Sequence, residues 1–173
     1  MGRGHAAGRA VTDLEPADYR AVAARLAAGV VVVTAVRHGV AHAATVSSVA
    51  SVSLEPPMLL FCVHVDARLR DVLDGTDAWA VSVLADGQAD VADWLASPGR
   101  PAVGQLDRVA HVPAPVSGAP WLDGAAAWFD CRTEAVHGAG DHDVVVGRVV
   151  AAREGAPDAG ALVHLRGRLR GVR

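Results

Sequence analysis

Apolar runs of strand length recur along this chain, and most are separated by too little sequence for a helical crossover. The runs are Val30–Val36, Val40–Leu54, Met58–Val65, Trp79–Ala85, Ala125–Val136, His142–Ala152 and Ala161–Leu169. Parallel neighbours need a crossover of about a dozen residues or more, so these strands are expected to pair mainly antiparallel and to close as a barrel. Their valine content favours the extended state: the hydrophobic fraction is 51% while aromatic residues make up only 4%. Arg37-His38-Gly39 reads as the turn of a hairpin, and Pro56-Pro57 ends the strand before it, since proline donates no ladder hydrogen bond.

Helices are expected to be few and peripheral. Pro16 suits a first turn, and Tyr19, Val22, Ala23, Leu26 and Ala27 follow at amphipathic spacing before Gly29. A short helix is expected over 67–73, and another over 88–95 with Val91, Trp94 and Leu95 on one side. Prolines 98, 101, 113, 115 and 120 forbid long regular structure between Ser97 and Pro120, which reads as a loop wrapping the surface or reaching over a neighbouring subunit.

At 173 residues the chain is long enough for one domain, taken as residues 15–173 behind a flexible leader of residues 1–14. The leader carries Arg3 and Arg9 without an apolar segment behind them, and no run of 18 apolar residues occurs anywhere, so a soluble protein is expected. A net charge of −3 disfavours nucleic acid and anionic membrane as partners. Cys62 and Cys131 stand alone in apolar segments, which points to reduced thiols and a cytoplasmic location. Neither a Gly-x-Gly-x-x-Gly after a strand nor a Gly-x-x-x-x-Gly-Lys-Ser/Thr loop is present, which excludes the Rossmann and P-loop ways of holding a nucleotide.

The stretch from His42 to Pro57 is unusual in its small residues. Taken as one strand, it places Thr45, Ser47, Ser51 and Ser53 on one face with Val49, and Ala44, Val46, Ala50, Val52 and Leu54 on the other with Ser48. A hydroxyl face of this kind serves either a half-exposed strand facing water or a flat ligand lying close to the backbone. From Tyr19 to Leu169 the chain resembles the flavin reductase family. The resemblance rests, in order, on Arg25–Thr34, Thr45–Pro57, Leu59–Val63, Trp79–Leu84, Gly124–Cys131, Gly140–Val149 and Leu162–Gly167.

That resemblance implies a mainly β fold: an antiparallel Greek-key split β-barrel, the FMN-binding split barrel, with peripheral helices. It implies NADH-dependent reduction of free flavin, FAD before FMN, for a separate flavin-dependent monooxygenase, by a homodimer. The nicotinamide would stack on the flavin and pass hydride to ring N5, so no catalytic residue is assigned and the protein sets distance and orientation. Thr45, Val46, Ser47 and Ser48 correspond to the stretch against the isoalloxazine ring, with Ser51 and Ser53 as secondary candidates. Asp66-Ala67-Arg68 corresponds to the loop that reaches the flavin phosphates, although Ala67 and Leu69 stand where family members commonly have serine. Gly140, Asp141 and His142 correspond to a segment near the nicotinamide, with His142 positioning NADH. Two alternatives stay open: a flavoprotein that keeps its flavin and acts on another small molecule, and a non-catalytic flavin-binding or scaffolding barrel. NADH against NADPH is also open.

Other readings stand beside these. Asp141-His142 is equally a capped turn and a strand start. His137, Asp141, His142 and Asp143 are metal-ligand types, but their spacing matches no zinc pattern, and no metal is assigned. Arg166, Arg168 and Arg170, with Arg173, form either a solvated face or an anion-attracting rim. Trp79, Trp94, Trp121 and Trp128 read as core or interface anchors.

Overall fold

The computed structural model describes residues 14–173, so the leader expectation lies outside the described residues apart from Leu14, which is exposed. In chain order the elements are α1 (Pro16–Ala23), β1 (Ala28–Gly29), β2 (Val31–Arg37), β3 (Val40–Val46), β4 (Val49–Leu54), β5 (Pro57–His64) and α2 (Arg68–Leu73). There follow β6 (Ala78–Val83), α3 (Ala89–Ala96), β7 (His111–Pro113), β8 (Pro120–Leu122), β9 (Ala127–Ala139), β10 (His142–Glu154), β11 (Ala161–Leu165) and β12 (Arg168–Val172).

Seven strands form one antiparallel sheet in the order β3-β2-β6-β9-β10-β5-β4. β3 and β4 follow each other in the chain yet occupy its two ends, so the sheet has to curl until they meet. Ser47–Ser48 is the joint, and the Ser48 carbonyl accepts the Cys62 N–H of β5 at 2.9 Å. The barrel is split where β2 and β6 diverge. Val31 pairs with Val83, and one residue further Leu84 donates to Val30, Val30 to Leu162, and Leu162 back to Leu84 at 2.9–3.0 Å. β11 enters at this point and carries a second sheet, β1-β11-β12.

The valine run of β2 is buried on both faces, which explains why it reads as continuous and not alternating. Val31 and Val33 join Phe61, Val63, Trp79, Val81 and Val145 inside the barrel, where Leu69 and Val72 of α2 plug one side. Val30 and Val32 pack outward under Leu95 of α3, Leu106, Leu122 and Leu162. Trp79 meets Phe61 edge-on at 4.9 Å and donates its indole N–H to Thr133 at 3.0 Å. Gly147 makes room for that indole, because a Cβ there would lie 2.3 Å from Trp79 Cζ2. The β2–β3 turn is His38-Gly39 with φ of 51° and 76°, the left-handed pair that matches the strands' twist.

Four expectations are corrected. The stretch 42–57 is two strands around a corner, and of the second half's apolar residues only Val49 packs on the core: Ala50, Val52 and Leu54 are exposed, Leu54 at 85%. The run 161–169 is a hairpin turning at Arg166-Gly167, so Arg166 sits in the turn and does not share a strand face with Arg168 and Arg170. α1 forms, but none of its residues is buried; Tyr19, Val22 and Leu26 face away from the barrel. α3 buries Ala92 and Leu95, while Trp94 lies half out and donates to the Gln105 carbonyl. The proline-rich segment is mostly loop but pins itself with the β7–β8 pair. No described helix is long and apolar enough to cross a membrane.

Candidate functional site

Three groups of side chains border the β3–β4 corner. The first is a cavity of about 650 Å³ whose floor includes Thr45 and Ser47, with Ala92, Asp93 and Ala96 of α3 on one side and His164 and Arg168 of the β11–β12 hairpin on the other. Its small residues keep the wall low, and the Thr45 hydroxyl is held by donation to the Ala92 carbonyl at 2.7 Å. Val46 points into the core, so it can meet a ligand only through its backbone. Ser48 is exposed beside Ser47. Ser51 and Ser53 lie further along β4, opposite Leu59 and Met58, and do not line this cavity.

The second group sits where β5 ends and β10 begins. Register places His64 opposite His142, and the rings meet edge-on at 5.2 Å. His64 Nδ1 accepts the Asp66 N–H at 3.1 Å, which leaves its proton on Nε2. Asp141 Oδ1 lies 2.7 Å from His142 Nδ1, and this hydrogen bond holds the Asp141 carboxyl below the usual carboxylate range. An ionised Asp141 fixes His142 as the Nδ1–H tautomer or the imidazolium. Gly140 takes φ of 71° in the turn that brings the pair together.

The third group lies beyond the start of α2. Arg68 Nη1 donates to the Arg100 and Pro101 carbonyls at 3.3 and 3.1 Å. Arg100 donates to the carbonyls of Ser97 and Ala43, and its burial, followed by the nearby Arg68 charge, pulls its pKa down. His42 is likewise held below its ordinary pKa by burial and by Arg68 and Arg37. Ala67 offers no side-chain cap to α2, and Leu69, where the resemblance suggests serine, is a core residue at 3% exposure. Arg70 behind them bridges Asp143 and Asp74 at 2.5 Å each and ties α2 to β10.

His64, Arg100 and His164 are absent from the sequence-based candidates. His64 becomes visible only through the β5–β10 register, and Arg100 only through the fold of a loop with no periodicity. Ala67, Arg68, Asp141 and His142 are brought near the corner, whereas Ser51 and Ser53 are carried away from the cavity.

One antiparallel barrel thus carries a hydroxyl-floored cavity, a paired-histidine edge and a set of arginines beyond α2. The flavin reductase like domain matches residues 23–173, and the chain belongs to the flavin reductase family. It is 40% identical over 109 residues to an NADH-dependent FAD reductase of Streptomyces globisporus, covering 62% of this chain and 60% of that protein's length. It is 32% identical over 138 residues to the reductase subunit HsaB of a Mycobacterium tuberculosis flavin-dependent monooxygenase, covering 79% of this chain and 71% of that one. Among solved structures, BorF, the flavin reductase component of a bacterial two-component tryptophan halogenase, superposes with a TM-score of 0.86 at 38% identity over 91% of this chain and 98% of BorF.

The residues present fit a flavin nucleotide. The cavity supplies hydroxyls and close backbone, and beyond α2 two buried nitrogens, His42 Nδ1 and Arg100 Nε, have no partner among the described residues. Buried polar atoms are ordinarily satisfied, so orphans beside a groove mark a place for a polar ligand.

Proposed function

We propose that this protein reduces free flavin with NADH, FAD in preference to FMN, and releases it to a separate flavin-dependent monooxygenase. The observation that carries the reading is the corner itself: Thr45 and Ser47 on the cavity floor, with the His64–His142 pair two residues beyond the point where Ser48 meets β5. A bound flavin supplies the hydride-accepting N5. Thr45 and Ser47 hold the approach to the backbone open and offer hydroxyl oxygens. Asp141 orients the His142 ring, and His142 positions the nicotinamide at the cavity edge. Arg68 stands over the phosphate end. Ser48 contributes through its exposed backbone, and Gly140 through the turn that aims His142.

Release fits the weak phosphate grip. Ala67 and Leu69 offer no hydroxyls, so flavin would be held as a substrate and not as a permanent group. The HsaB and BorF relatives are reductase components of two-component systems, which supports the partner. A homodimer is supported by Leu60, Val144 and Val146, which alternate with buried Phe61 and Val145, remain partly exposed and join none of the core clusters. Two free cysteines support a cytoplasmic setting.

The test is anaerobic. Protein is mixed with excess FAD or FMN and then NADH or NADPH, and loss of oxidised-flavin absorbance is followed against a no-protein control. Many turnovers per chain with FAD and NADH are expected. Bleaching that stops at one equivalent per chain would identify a flavoprotein that keeps its flavin, and none above the control would leave a carrier. His142→Ala should lower kcat/KM for NADH roughly tenfold while flavin affinity holds, as expected when a positioning contact is lost.

A further inference from the structure

Between the β2–β3 hairpin and the loop after α3 runs a groove of about 330 Å³ lined by Arg37, His38, Val40, His42, Val72 and Val103. Its charges are of one sign. Among the described residues Arg37, Arg68 and Arg100 have no carboxylate within ion-pair distance, although Arg70 in the same helix as Arg68 has two. Their hydrogen bonds go to neutral carbonyls instead: Arg37 to Asp71 O at 2.6 Å, Arg68 to the 100–101 backbone, and Arg100 to Ser97 and Ala43. In a chain of net charge −3, three guanidinium groups gathered without a counter-charge repel one another until an anion arrives, and they hold the neighbouring His42 towards its uncharged form.

The valines give the groove an apolar side as well, so its complement is an anion joined to a flat apolar ring. We propose that this groove binds the adenylate half of FAD, and that Arg37 and His42 make the protein prefer the dinucleotide over FMN. The assignment rests on the flavin reductase reading and adds the residues that select the flavin. NADH carries the same adenylate chemistry. FAD is favoured because Arg68, at the flavin's phosphate end, is bonded to the carbonyl of Pro101, and the next two residues, Ala102 and Val103, help line the groove. One loop thus joins the first phosphate position to the second.

The experiment measures FAD and FMN dissociation constants separately by flavin fluorescence, without NADH, for the parent protein, Arg37→Gln, His42→Gln and the double variant. The KM for NADH is then measured at saturating flavin. In the double variant FAD should bind about tenfold or more weakly while FMN stays within about twofold, because the charge-assisted contact of Arg37 and the hydrogen bond of His42 both belong only to the second half of the ligand. Added salt should weaken FAD more than FMN in the parent and erase most of that difference in the variant. Equal losses for both flavins, no loss for either, or an unchanged FAD constant with a raised NADH KM would each overturn the assignment, the last giving the groove to the nicotinamide dinucleotide. Arg37 also packs over the Gly75 turn, so thermal melts accompany the titrations, and His42→Gln alone carries the test if Arg37→Gln does not fold. These constants are equilibrium values: a parent that bound FAD by the groove but turned over no flavin would sink the reductase reading and leave the groove assignment standing.

Discussion

The wall formed by β2, β6 and β9 and the corner between β3 and β4 treat polar groups in opposite ways. In the wall the chain satisfies all but one of its buried polar side-chain atoms. Thr34 donates to Pro120 O at 2.7 Å, Ser82 Oγ accepts the Leu122 N–H at 2.9 Å, and Trp128 donates to Leu122 O at 2.8 Å. Asp130, fully buried, takes the N–H groups of Val116 and Ser117 on one oxygen, and only its other oxygen lacks a partner. Around the corner, buried nitrogens of His42 and Arg100 have no partner, and Arg37, Arg68 and Arg100 have no carboxylate at ion-pair distance, among the described residues. Polar residues in the first region bond one another across the fold; those in the second are the ones we assign to a ligand.

The largest expected effect belongs to the wall. Trp79→Ala should cost about 3–5 kcal/mol in chemical denaturation, since it empties a fully buried indole site and orphans Thr133. A loss below about 1 kcal/mol would mean that the wall is not the barrel's mechanical core.

Cys131 should give the next effect. Burial, then the neighbouring Asp130, pushes its thiol up to about 12. A raised thiol pKa keeps the folded state protonated where the unfolded chain ionises. Stability is therefore full below about pH 8.5 and falls by ~1.4 kcal/mol per pH unit from there towards 12. Denaturation midpoints measured against pH should show this fall, and Cys131→Ala should flatten it. Native Cys131 should resist alkylation at pH 8, while the half-exposed Cys62 reacts.

At the corner, Thr45→Val removes the hydroxyl's bond to Ala92 O and should cost only about 1 kcal/mol of stability, yet weaken flavin binding measurably by fluorescence titration. If stability falls and flavin affinity does not, Thr45 belongs with the wall. The smallest effect is expected at the exposed Arg148–Glu134 pair. Glu134→Gln should change the unfolding free energy by less than about 0.5 kcal/mol, since a solvated ion pair contributes little.

Most of the barrel was legible because its strands announce themselves by β-branched residues and its turns by local chemistry. His38-Gly39 and Pro56-Pro57 are examples. The corner was not, because no glycine or proline marks Ser47–Ser48 and the small-residue pattern runs through it unbroken. Nor does an amphipathic stripe name its cover: α1 has the spacing of a packed helix and buries none of its residues. Arg166-Gly167 carried a turn signal, but the alternation of Leu165, Gly167 and Leu169 concealed it. In the candidate site, Thr45, Ser47, Arg68 and His142 could be named from family resemblance. His64 and Arg100 depend on register and loop path, which are global outcomes of folding.

The two-residue joint at Ser47–Ser48 has a consequence for how the molecule comes together. β3 and β4 are the two edges of the main sheet, and among the described residues each leaves a row of backbone groups without a strand partner on one side. Cutting the backbone at the joint, or moving the termini there by circular permutation, would keep every pairing of the seven-stranded ladder. It would also free both edges to recruit strands from other molecules. The same two residues that border the cavity would then be what stands between a discrete protein and an edge-to-edge aggregate.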